Sequence, residues 1–80
     1  MADGLDEYRH QPLLWCSLAV LELNEFDIED DAQCSPAHIQ LLVERTMEFI
    51  TQCFEEEELP VPTAEQVLQH TLKRVELLRS

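Results

Sequence analysis

Three cysteines, three histidines and a surplus of carboxylates are the residues from which this chain would have to build any chemistry. Cys34 and His38 stand about one helical turn apart, whereas Cys16, Cys53, His10 and His70 are scattered. A structural zinc site takes four ligands, usually offered as two close pairs. One loose pair falls short, and no metal is expected. Cys16 and Cys53 also fall within apolar stretches, where a thiol behaves as a small hydrophobe. A Cys/His nucleophile would need a pocket and an oxyanion loop to serve it. Gly4 is the single glycine, which removes the usual phosphate-cradling loops as well. The carboxylates lie mostly in polar connectors, where little would perturb them. The reading is therefore a non-enzyme, with neither catalytic residues nor a cofactor.

The elements that carry these residues read as helices. The 80-residue chain is 45% hydrophobic, which is ample for one small domain and argues against disorder. Residues 1–11 are polar and expected to form a loose arm, with residues 12–80 a single helical domain. Residues 12–26, PLLWCSLAVLELNEF, are rich in helix formers, and Pro12 suits a first helical turn because its missing N–H costs nothing there. This segment is apolar almost all round, so burial on more than one side is expected. A strand is the alternative, since short apolar runs are ambiguous by period.

After an acidic connector, residues 27–34, Ser35 and Pro36 form a helix start by hydroxyl cap and proline. Ile39, Leu42, Val43, Thr46, Met47, Ile50, Cys53 and Phe54 then recur at helical spacing, with Leu41 and Phe49 broadening the stripe. The link LPVP forces Leu59 and Val61 into extended geometry, because a residue before proline avoids helical angles. Thr63 with Gln66 has the spacing of a capping box. A third helix follows, with Val67, Leu72 and Val75 among its apolar stripe and Lys73, Arg74 and Arg79 toward its end. The fold class expected is all-α, a small three-helix domain.

The net charge is −12, from 17 acidic and 5 basic residues. Such a balance opposes direct nucleic-acid binding and docking on anionic membranes. The longest apolar run, residues 13–21, is too short to span a bilayer. An odd number of cysteines and no visible secretory leader point to an intracellular compartment, nuclear or cytoplasmic. Within this acidity Glu55, Glu56, Glu57 and Glu58 stand out, because a helix C-terminus already carries partial negative charge. Two readings stay open. The second helix ends near Phe54 and the glutamates form a solvated turn. Alternatively, they join Glu25, Asp27, Glu29, Asp30 and Asp31 in one acidic surface for a basic partner.

The order of elements resembles the histone fold. A short buried helix, an acidic loop, a longer helix opening SPAHIQLLVERTMEFI and an extended link into PTAEQVLQHTLKR carry the likeness, and Val61, Thr63, Ala64 and Val67 match its junction before the last helix. The resemblance covers roughly residues 12–78 and is nearest to small non-nucleosomal subunits of transcription and centromere complexes. It implies pairing with a second helical subunit of the same fold, and a central helix running through Glu58. The family's basic DNA-contacting residues are absent here.

These features make a small acidic interaction subunit the leading expectation, joined to a protein partner, basic or helical, as a hetero-oligomer. Trp15, Leu42, Phe49, Phe54, Leu72 and Val75 would meet that partner, together with Glu55, Glu56, Glu57 and Glu58. The alternative is a self-sufficient adaptor that holds an amphipathic peptide between the second and third helices.

Overall fold

Both of the first two helices stop in the same way, with a glutamate where glycine would normally stand. The computed structural model describes residues 10–80, and in it α1 spans Pro12–Leu23, α2 Pro36–Glu56 and α3 Ala64–Arg79. At the end of α1, Glu25 takes φ 51°, its N–H donates to the Glu22 carbonyl at 3.2 Å, and the Phe26 N–H donates to the Leu21 carbonyl at 2.9 Å. At the end of α2, Glu58 takes φ 58°, its N–H donates to the Glu55 carbonyl at 3.1 Å, and the Leu59 N–H donates to the Phe54 carbonyl at 2.9 Å. These paired bonds define Schellman motifs, which satisfy the last carbonyls of a helix. Left-handed backbone costs a non-glycine residue about 1 kcal/mol. What holds the glutamates there is the apolar pair each motif closes: Leu21 with Phe26, and Phe54 with Leu59, all in or against the core.

Starts are governed locally. Ser35 accepts the His38 N–H at 3.3 Å with Pro36 in the first turn of α2. Thr63 and Gln66 form the reciprocal capping box, at 3.1 Å and 3.0 Å. Each such cap contributes about 1 kcal/mol. The start of α1 has only Pro12, with Gln11 making no side-chain cap bond. Residues 59–63 are irregular, consistent with the extended link that Pro60 and Pro62 impose.

All three helices pack against one another, α1 and α3 most extensively, and no strand occurs among the described residues. The protein is thus an all-α, three-helix domain. Ile39, Val43, Ile50 and Phe54 from α2 meet Cys16 and Val20 from α1 and Val67 and Val75 from α3 in one core. Full burial of a side chain of this size stabilises by about 1.5–3 kcal/mol. Three buried hydroxyls are silenced by their own helices: Ser17 donates to the Leu14 carbonyl, Thr46 to Leu42 and Thr71 to Val67, at 2.7–2.8 Å. A polar tie joins the first two helices. Asn24 donates to the Val20 carbonyl at 2.7 Å and to the Thr46 hydroxyl at 2.9 Å, fastening the end of α1 to the middle of α2.

Two expectations are revised by this arrangement. Helix α1 stops at Leu23 rather than Phe26, because Glu25 turns left-handed. It is also buried on one side only: Cys16, Ser17, Val20 and Leu21 are enclosed, while Leu14, Trp15, Leu18 and Ala19 are half-buried and Leu23 lies outside. The expected arm falls almost wholly outside the described residues; of it, His10 and Gln11 are exposed.

A candidate protein-docking edge between α1 and α2

Trp15 decides where the apolar surface lies. Its ring stacks on Phe49 at 6.4 Å and 15°, and meets Phe54 edge-on at 5.9 Å and 66°. Phe54 is sealed beneath it at 1% exposure, whereas Phe49 stands at the border with 44% exposure. Along α1, Trp15, Ala19 and Leu23 follow at one-turn intervals, with Leu18 and Glu22 beside them. Together with Phe49 they line a hollow of about 290 Å³, and Glu22 is its one charged wall. Leu23 is 56% exposed, and so is Leu41 farther along the outer side of α2.

The residues expected to meet a partner divide sharply. Trp15, Phe49 and Leu72 remain at or near the surface. Leu42, Phe54 and Val75 do not: they are core residues of this chain, at 3%, 1% and 4% exposure. Leu23 and Leu18 were missed. No periodicity could have found them, because α1 is apolar all round and its exposed side depends on how it docks. The far end of α3 adds a smaller apolar tip, Leu77 and Leu78, beyond the reach of the core.

Glu55, Glu56, Glu57 and Glu58 are all exposed. Glu55 and Glu56 complete the last turn of α2, Glu57 caps it and Glu58 turns the chain. The helix therefore ends between the two sequence expectations, past Phe54 and short of Glu58. The acidic connector sits at the other end of α2, about 30 Å away along a 21-residue helix. The acidic residues are thus strung along α2, with the connector leading into its start, Glu25 near its middle beside Asn24, which bonds Thr46, and residues 55–58 at its end. Part of the connector's acidity is structural. Asp27 accepts the Glu29 N–H and Asp30 the Ala32 N–H, both at 3.0 Å, in turns typical of aspartate. Asp31 pairs with Arg79 from the end of α3 in an exposed ion pair, a type that contributes little.

The thiols are arranged for packing. Burial pushes the Cys16 thiol up to about 12, with a lesser push from Cys53, so it is not a nucleophile near neutrality. Cys34 donates to the Ile28 carbonyl at 3.4 Å. Among the described residues no three His, Cys, Asp or Glu side chains are grouped to hold a metal ion, and no helix is long and apolar enough to cross a membrane. A second hollow, about 580 Å³, opens between the start of α2 and the second half of α3, where Pro36, Ile39, Leu72 and Val75 meet His70, Lys73 and Arg79.

No family model, no curated protein and no solved structure matches this chain.

Proposed function

We propose that this protein is a small, acidic, non-catalytic subunit that docks the α1–α2 edge onto another protein chain inside the cell. One observation carries the reading: with the core filled, Leu23 and Phe49 still stand 56% and 44% exposed on the flank where Trp15 and Leu18 are only half-buried. Contiguous apolar surface on a small domain marks an interaction site more often than scattered single leucines do. An aromatic pair at the centre of the flank suits the anchor role, since aromatic residues dominate interface energetics. Acidic residues along α2 steer association and exclude nucleic acid.

The test is affinity purification of the tagged full chain from cells, followed by native mass spectrometry. The proposal expects one stoichiometric companion that is lost from Phe49→Ser and Leu23→Ser variants whose helical circular dichroism shows them folded. A monomer without a companion, silent toward hydrophobic dyes, would refute it.

The adaptor reading retains one supporting feature, the hollow between α2 and α3 beside Leu72. It expects substitution of Leu72, and not of Phe49, to abolish capture. The histone-fold resemblance is proposed as far as element order, a 12-residue helix, a 21-residue helix and a Thr-capped last helix. It expects the companion itself to be a helical subunit of similar size.

A further inference from the structure

The α1–α2 edge is a trough with a direction. Trp15, Ala19 and Leu23 lie along it at one-turn spacing, so its apolar floor runs parallel to α1 for about 12 Å. A floor of this shape complements a helix that presents anchors at every third or fourth residue. An extended strand would instead need a free sheet edge to pair with, and this all-helical domain has none among its described residues.

The borders are acidic. Glu22 forms part of the wall. On α2, Glu56 lies two turns beyond Phe49 on the same stripe and is exposed. Arg45, one turn before Phe49, is the cation of that stripe. Acid therefore outweighs base along the trough, and the chain as a whole carries −12. Two copies of this chain would bring like-charged borders and like net charge together, which costs association. A partner with basic borders gains from both.

We infer that the trough receives an amphipathic helix from a different protein, apolar along one face and rich in lysine or arginine along its margins. This deepens the docking reading above and rests on it. The apolar face supplies affinity by covering Leu18, Leu23 and Phe49. The basic margins supply selection against neutral and acidic helices.

The chain contains its own reporter, because Trp15 is its single tryptophan and forms one wall of the trough. The experiment titrates the full chain with three helical model peptides that share a leucine face and carry lysine, glutamine or glutamate elsewhere. The lysine peptide is expected to shift Trp15 emission to the blue, with affinity at least about tenfold above the glutamine peptide and weakening as salt is raised. Phe49→Ser and Leu23→Ser should each weaken that response about tenfold or more. Leu77→Ser, on the distant tip of α3, should leave it intact. If Phe49→Ser fails to fold, Leu23→Ser decides alone, since its side chain stands mostly outside.

Equal binding of the lysine and glutamine peptides overturns the basic class, while the docking reading survives. A lysine response indifferent to both serine variants reveals unspecific charge attraction and removes the trough as the site. A shift of Trp15 emission with chain concentration alone makes a second copy the occupant and refutes the inference. Failure of all three peptides, while a cellular companion still depends on Phe49, overturns the helical occupant alone.

Discussion

Phe49 and Phe54 are five positions apart on one helix and touch the same tryptophan, yet one is 44% exposed and the other 1%. Phe54 faces the meeting point of all three helices, and the Schellman turn at Glu58 folds Leu59 back over it. Phe49 lies at the margin of the α1–α2 contact, stacked on Trp15 but outside the core. The difference teaches that Trp15 sits on a boundary, with the stability of the domain on one side and its docking surface on the other.

The largest effect should separate the two. Phe54→Ala removes a fully enclosed ring and is expected to cost about 3–5 kcal/mol, enough to unfold a domain this small, as urea denaturation followed by circular dichroism would show. Phe49→Ala should cost about 1 kcal/mol or less in the same measurement, because its surface is already half in water. Similar losses from both would erase the boundary.

Cys16, next to Trp15 on the sealed side, sharpens the comparison through pH. Its thiol is held neutral up to about 12 in the fold, against an ordinary 9.0 in the unfolded chain. Above that ordinary value the unfolded state loses its proton first, so it binds fewer protons than the native state and stability falls as pH rises. The stabilisation is complete below pH 9.0 and disappears between there and about 12, a loss on the order of 4 kcal/mol. Cys16→Ala should abolish this alkaline slope, as denaturation midpoints across that range would show. In native protein at neutral pH, a thiol reagent should label Cys34 and Cys53 well before Cys16.

Asn24 tests what keeps the trough open to a fixed width. Asn24→Ala removes the tie to Thr46 and should cost about 1–2 kcal/mol in denaturant midpoint. It should also broaden the Trp15 response to the lysine peptide, since the far end of α1 is released. The smallest effect runs the other way. Glu58→Gly relieves left-handed strain over Phe54 and should stabilise by about 0.5–1 kcal/mol in a thermal melt. Peptide binding at Phe49 should not change.

How much of this was legible in the sequence depends on how local each cause is. Ser35 with Pro36, and Thr63 with Gln66, announced two helix starts because a cap is made by residues within one turn. The ends of α1 and α2 were harder to place. Their stop signal is ordinarily glycine, and Glu25 and Glu58 occupy those positions only because Phe26 and Leu59 are drawn inward from elsewhere in the fold. The apolar stripe of α2 was readable, but it could not rank Phe49 below Phe54, since both belong to it by spacing. That ranking is set by where α1 lies, and α1 has no polar face to orient it. Consequently Leu42, Phe54 and Val75 moved into the core, and Leu18 and Leu23 emerged at the surface.

The placement of acid at both tips of α2 has one more result. Seen from a distance, a chain of net charge −12 is a negative monopole; closer in, acid lies toward both tips of α2 and apolar surface between them. An approaching cationic rod gains most by lying lengthwise, with each extremity satisfied at once. Some twenty helical residues would bridge the roughly 30 Å between the tips, so the reach of a companion, as well as its charge, becomes a means of recognition.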